Sequence, residues 1–464
     1  MGHDLKQAFC PASKLVALFF HHLASRERGF NHCSEMMIRS ELETFFDRLW
    51  PICRSIMGEG FRQSLDIISE ILPLERVSFP SGTNVHDWTV PLEWNIDDAW
   101  IKDPSHAKIV DFQKSNLHVL NYSAPIEGEF TLEELNKYLY SIPELPEAIP
   151  YLTSYYSERW GFCLSHKQRE SLKPGKYSVK IASSLKTGSL DIGHAVLKSD
   201  ANSGQTNEFL ISTYLCHPSM ANNELSGPLV TAFLYRELSK VKSRNYNYRF
   251  VVGPETIGAI CYLSKFGTHL KEHCKGGLVV TCVGDGRNFH YKKSRRGNSS
   301  LDRIMQSTLK SSGTKHNVIE FFPHGGSDER QYCSPGYDLP VGVLMHSAPS
   351  QFKEYHTSLD NKSMIDFKAM QDTIDLLLKA ILEFDRRKAF VTSVKFGEPM
   401  LGARGLYPTL GSQRKSEDAV KQLLWVLNYS DGQHDLGDIA EKSGFPLSEL
   451  EEAATRLVDK GLIS

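Results

Sequence analysis

The sequence predicts an α/β protein with three parts: a mixed sheet with helices on both faces, an inserted small β-rich domain, and a C-terminal winged-helix module. Three observations predict it. Almost continuously apolar runs such as "EFLISTYL", "YRFVVG", "GLVVTCVG" and "LPVGVLM" alternate with helical patterns such as "SGPLVTAFLYRELSKV" and "ETIGAICYLSKFGTHL", the mark of strands buried on both faces. From Val77 to about Lys180 the texture changes to short aromatic-rich runs broken by Pro and Gly, as in "HDWTVPLEW" and "HVLNYS". After "FVTSVKFGEPML" come "SEDAVKQLLWVL", "LGDIAEKSG" and "LSELEEAATRLVDKGLI", three short helical patterns with "SGFP" as the turn between the last two.

At 464 residues the chain is too long for one ordinary core. Residues 1–37 are expected to be an extension; the apolar run Leu15 to Phe20 inside "KLVALFFHHLASRERG" is too short for a signal peptide or a membrane span. From Ile38 to Leu72 apolar residues recur at helical spacing, and Pro51 and "MGEG" divide the run into two helices. The expected division is a core of 38–78 and 181–388, an insert of 79–180, and a linker strand with the winged helix over 389–464.

A formal charge of −2 gives no reason to expect nucleic acid or an anionic membrane as the main partner. Nine scattered cysteines without a C-x-x-C pair suit reduced thiols, hence a soluble cytoplasmic protein. Glu417 to Ser464 holds ten acidic and four basic side chains, a net of −6, and its last helix carries Glu449, Glu451 and Glu452. A DNA reader needs cations facing phosphate, so the module is expected to dock a protein or a second copy of the chain instead.

In a sheet of this kind ligands gather at the carboxyl ends of the strands. Four such ends carry polar side chains. "TYLCHPSMANNELSGP" supplies His217, Asn222, Asn223 and Glu224; "VVGPETIG" supplies Glu255; "GGSDERQY" supplies Asp328, Glu329 and Arg330; "EYHTSLDN" supplies His356 and Asp360. Taken singly, each has an ordinary structural explanation, such as a histidine bonded to a carbonyl or a glutamate opening a helix. Together, imidazoles and carboxylates from different strand ends are what a zinc site with an open water position needs, and an unligated glutamate beside it can take the proton.

These phrases, with "WPICRSIMGEG", "SGTNVHDWTVPLEWNI", "NLHVLNYSAPIEG", "IPYLTSYYSERWGFCLSH", "CVGDG" and "GSDERQYCSPGYDLPV", cover some nine-tenths of the chain. In order and spacing the chain resembles the co-catalytic zinc aminopeptidase clan of glutamate carboxypeptidase and glutaminyl cyclase. More closely it resembles the bacterial aminopeptidase-like family, with a β-domain inserted in the peptidase core and a winged helix after it. The resemblance implies a phosphorylase/zinc-aminopeptidase-like sheet. It puts His217 and His356 on the clan's histidine ligands, Glu255 on its general base, and Asp328 on an aspartate near the site. Asn223 falls where the clan has a metal-bridging aspartate, Thr256 where it has a second glutamate, and Thr281 or Cys282 where it has another carboxylate.

Without those anions two zinc ions would repel each other, so one zinc is expected, held by His217 and His356 with Glu255, Asn223 or Asp328 completing the shell. Arg330 and Asp328 are expected to position substrate, and Glu224, Glu329, Tyr155 and Trp160 to bind it; Trp160 equally suits the core of the small domain. The implied activity is hydrolysis of an amide or peptide bond in a small peptide-like or amino-acyl substrate. Relatives carry polysaccharide-biosynthesis labels, which allows a biosynthetic amide. The alternative is a degenerate peptidase fold that binds a ligand without turnover and docks partners through its winged helix.

Overall fold

The computed structural model describes residues 36–200, 206–322, 326–348, 352–387, 389–407 and 414–464. The extension expected at 1–37 lies outside them except for its last two residues, which begin a helix over 36–49. That helix stops at Pro51, whose ring blocks continuation, and a second, Glu59–Ser69, starts after Gly58. Among the described residues eight strands form the large sheet. They are β1 (Glu75–Pro80), β2 (Ser189–Leu197), β3 (Glu208–Tyr214), β4 (Asn247–Gly253), β5 (Cys274–Val280), β6 (Phe289–Lys292), β7 (His316–Ile319) and β8 (Val341–Met345), in the order β1-β2-β4-β3-β5-β8-β6-β7.

The central strands β4, β3, β5 and β8 are parallel, while β1, β2 and β6 each have an antiparallel neighbour, so the sheet is mixed as expected. Every residue of β3 and β4 is buried. Side chains of a strand alternate between faces, and here each face meets its own core. Phe209, Ile211, Phe250, Leu278 and Leu344 point to helices Glu59–Ser69, Ser226–Lys240, Ser300–Ser312 and Phe367–Arg386. Leu210, Val251, Val279 and Val343 point the other way, toward Ile257–His273 and Asp328–Tyr332. Burial of each such side chain contributes about 1.5–3 kcal/mol.

Between β1 and β2 the chain builds a separate antiparallel sheet, in the order Lys108–Asp111, Glu93–Lys102, Lys176–Lys186 and Ile126–Thr131. Tyr177, Val179 and Ile181 alternate with more exposed neighbours and pack with Trp94, Ile101 and Val110. At the C-terminus, helices Arg414–Tyr429, Leu436–Ser443 and Leu447–Asp459 enclose Leu423, Val426, Ile439, Leu450 and Leu457, and Ala389–Val391 pairs with Asp431–Asp435. Asp438, the N3 residue of a capping box, also meets Arg303 of the core, which adds an ion pair to Glu441 at 3.4 Å.

The step from site to scaffold is tight at Gly227, one residue into the helix Ser226–Lys240. A Cβ there would lie 2.4 Å from the Val280 carbonyl oxygen and 2.6 Å from Thr213 Oγ1. Gly227→Ala is therefore expected to cost about 1–3 kcal/mol, read as a lower denaturation midpoint. An unchanged midpoint would mean that helix and sheet can separate without loss.

Candidate active site

β3 delivers the chain through Cys216 to His217, which is buried. A π-helical turn, Ala221–Leu225, follows and runs into the helix Ser226–Lys240. Such widened turns are frequent at functional sites. All three polar side chains of the turn are buried, and each is placed by a specific partner. Asn222 accepts from Gly284 N–H at 2.7 Å and donates to Asp285 at 3.1 Å. Glu224 accepts from Cys216 N–H at 2.7 Å and pairs with His217 Nδ1. The amide nitrogen of Asn223 donates weakly to Cys282 Sγ at 3.8 Å, and its Oδ1 is buried with no partner among the described residues.

The second histidine arrives on the loop after β8. His356 lies 5.0 Å from His217, ring centroid to centroid, with Tyr355 stacked on its other side at 3.9 Å. Its backbone is left-handed, φ 53°, and its Nε2 is buried without a hydrogen-bond partner. Burial, reinforced by the charge of His217, pushes its pKa down to about 3, so the ring is neutral with a lone pair available. For His217 burial also opposes charge, but the charge and hydrogen bond of Glu224 and the charge of Glu255 outweigh it and hold its pKa above the usual value. With Nδ1 engaged by Glu224, Nε2 is the nitrogen left to face the cleft, 3.8 Å from Glu255 Oε2.

Asp360, four residues beyond His356, ties the two loops together. Its carboxylate accepts the N–H groups of Asn222 at 2.7 Å and Asn223 at 3.0 Å, and its own carbonyl accepts from Ala221 N–H at 3.2 Å. Burial raises its pKa to about 6 against the lowering effect of those backbone donors.

Glu255 sits just past β4, with its side chain about one-quarter exposed. Thr256 after it has φ 63° and ψ −70°, and Ile257 N–H bonds the Glu255 carbonyl at 2.7 Å, a γ-turn of the rare strained kind. Asp328 Oδ1 accepts Thr256 N–H at 2.7 Å and so holds this turn. Burial pushes the Glu255 carboxyl up, His217 draws it down and Glu224 pushes it up again; the net shift is upward, toward the range of a general base.

The other residues expected at the site meet these partners. Asp328 reaches a backbone amide and braces Glu255. Glu224 orients His217, because the buried imidazole offers it a donor that substrate would have to displace. Glu329 is buried, paired with Lys292 at 3.0 Å and accepting Ser327 N–H at 3.0 Å. Arg330 is exposed on the short helix Asp328–Tyr332, with no hydrogen bond or ion pair to the two histidines or Glu255. Trp160 stacks on Tyr138 at 3.9 Å inside the small domain. Tyr155 does approach the site: its hydroxyl bonds that of Tyr151 at 2.7 Å, and the Tyr151 ring lies 4.5 Å from His217 and 5.3 Å from His356.

Tyr151 and Arg54 are the residues sequence reasoning missed. Arg54 is fully buried, donates to the His217 carbonyl at 3.1 Å, and has its pKa lowered to about 10 by burial while Glu224 supports its charge. Neither residue belongs to a pattern that would mark it.

The donors fit one cation. Two buried acceptors, His356 Nε2 and Asn223 Oδ1, have no hydrogen-bond partner among the described residues, and Nε2 is the ring nitrogen of His217 that Glu224 leaves open. Cys216, His217 and Glu224 also lie close enough to ligate, but that set would use Nδ1, which Glu224 already holds, and burial pushes the Cys216 thiol far up, against thiolate formation. At the positions where the resemblance implies further carboxylates, Thr256 lies inside its γ-turn, Thr281 donates its hydroxyl to Tyr214 at 2.7 Å, and Cys282 Sγ accepts from Asn223 at 3.8 Å.

Residues 43–387 match the family model described as "Domain of unknown function (DUF4910)", and 389–464 match a winged helix-turn-helix model. A Clostridium acetobutylicum protein, whose name couples polysaccharide biosynthesis with an aminopeptidase-like domain, is 42% identical over 417 residues, spanning 90% of this chain and 94% of its own. The chain belongs to the aminopeptidase-like family. A crystal structure of a peptidase-named protein from the same organism superposes with a TM-score of 0.76 at 40% identity, covering 95% of this chain and 99% of that one. The aminopeptidase-like core also shares its fold with a zinc aminopeptidase from Bacillus subtilis: TM-score 0.54, 13% identity, 75% of this chain and 95% of the other.

Proposed function

We propose that this aminopeptidase-like protein is a single-zinc hydrolase of an amide or peptide bond in a small, biosynthetic substrate. The observation that carries the reading is the meeting of His217 and His356, with ring centroids 5.0 Å apart, beside Glu255 at 3.8 Å. His217 Nε2, His356 Nε2 and Asn223 Oδ1 would hold the ion, which when bound would supply a polarised carbonyl and a more acidic water. Glu255 takes the water proton on its carboxylate and returns it to the departing amine. Glu224 keeps His217 turned, Asp328 keeps Glu255 turned, and Tyr151 with Tyr155 screens the histidines from bulk water. The name of the Clostridium acetobutylicum relative supports a polysaccharide-linked amide as the substrate class.

The protein works in the cytoplasm on this reading, and among the described residues no helix is long and apolar enough to cross a membrane. The winged helix docks a protein partner: Glu449, Glu451 and Glu452 are exposed on Leu447–Asp459, where phosphate would be repelled. A ligand-binding protein without turnover is the second reading, favoured by Thr256 and Thr281 at the clan's carboxylate positions.

The test is metal analysis of protein purified without added zinc, followed by a panel of aminoacyl and sugar-linked amides. About one zinc per chain, lost in His217→Ala and His356→Ala, with hydrolysis abolished by chelation, is expected. Zinc without hydrolysis of any amide would leave the binding protein. No metal under zinc-replete conditions would overturn the site.

A further inference from the structure

Both histidine-bearing loops are gripped by the inserted domain, through residues outside the strands of its own sheet. Pro150 bridges Thr357 in antiparallel fashion: Tyr151 N–H bonds the His356 carbonyl at 2.8 Å, Ser358 N–H bonds the Ile149 carbonyl at 2.8 Å, and Ile149 N–H reaches Ser358 Oγ at 3.0 Å. His356 thus sits in a short two-stranded contact whose other strand belongs to the insert. That contact holds its backbone at φ 53°, a left-handed conformation uncommon for residues other than glycine. On the other loop, Met220 packs fully buried with Leu117 and Tyr151 of the insert. Asn121 of the insert donates to the Arg54 carbonyl at 3.1 Å, and Arg54 in turn holds the His217 carbonyl. The Tyr151 ring touches both imidazoles, tilted 51° on His217 and perpendicular to His356.

The geometry points to the inserted domain as the clamp that assembles the metal centre, with Tyr151 as its positioning residue. The two imidazoles come from loops 139 residues apart, and Tyr151 is the side chain packed on both rings. Its ring excludes the rotations that would swing either imidazole away from the cleft. Its backbone fixes the loop that carries His356. The hydroxyl, bonded to Tyr155 and not to either histidine, has no share in this role.

This inference rests on zinc binding as proposed above, and the experiment separates the two. Zinc affinity is measured by chelator competition for the full chain and for Tyr151→Phe, Tyr151→Leu and Ser358→Ala, with near-ultraviolet circular dichroism and thermal unfolding to monitor folding. Tyr151→Phe is expected within about threefold of the native affinity, because the ring remains. Tyr151→Leu is expected to weaken zinc by about 10- to 100-fold, the range seen when supporting residues around ligands are removed. Ser358→Ala, the milder change, is expected to weaken it in the same direction by a smaller factor. Unchanged affinity in folded Tyr151→Leu overturns the clamp, and where that variant fails to fold, unchanged affinity in Ser358→Ala does so. An equal loss in Tyr151→Phe overturns the assignment to the ring. Failure of the native chain to bind zinc at all would instead remove the proposed function.

Discussion

Replacing Glu255 by glutamine is expected to lower kcat by about two to four orders of magnitude while one zinc per chain is retained. Glutamine keeps the size and one acceptor oxygen but cannot take a proton. Glu255 Oε2 stands 3.8 Å from His217 Nε2, and its backbone is set by the γ-turn at Thr256 and the Asp328 carboxylate. Neither support involves the side-chain carboxylate, so substrate binding, and with it KM, should change little. Steady-state kinetics on the best amide from the panel, paired with metal analysis of the same preparation, gives the answer. A kcat within threefold of native would place the base elsewhere and leave Glu255 with a merely electrostatic role.

The sheet was legible because its chemistry is redundant along the chain. Every residue of β3 and β4 must be apolar or internally bonded to be buried on both faces, and seven-residue runs of that kind have few other readings. The strand ends followed from the same logic, and they brought His217, Glu255 and His356 to one place. Roles within the site were less legible, since a carboxylate's role depends on which donor it meets in space. Glu224 and Glu329 look alike in sequence, yet one meets an imidazole and the other Lys292. Asp328 carries a strand-end motif, and its partner is a backbone N–H that only the strained turn presents. Tyr151 was hidden among other aromatic residues of "YLTSYYSERWGFC"; its role comes from a pairing between Ile149–Tyr151 and His356–Ser358 that no local pattern announces.

Glu224→Gln should separate metal binding from stability. Both carboxylate oxygens of Glu224 face donors, the Cys216 N–H on one and His217 Nδ1 on the other. An amide turns one of those acceptors into a donor, so one contact becomes donor against donor whichever way the group is flipped. Loss of the orienting carboxylate is expected to weaken zinc by about 10- to 100-fold. The same change removes an anion whose field supports the charge of buried Arg54, so stability is also expected to fall. Adding Arg54→Met removes the uncompensated cation, so denaturant unfolding of the double variant should recover much of that stability. Zinc affinity should not recover, because His217 still lacks its partner and now also loses the guanidinium on its carbonyl. Equal recovery of both quantities would mean that Glu224 acts on the metal only by keeping the chain folded, and the orienting role assigned to it would be wrong.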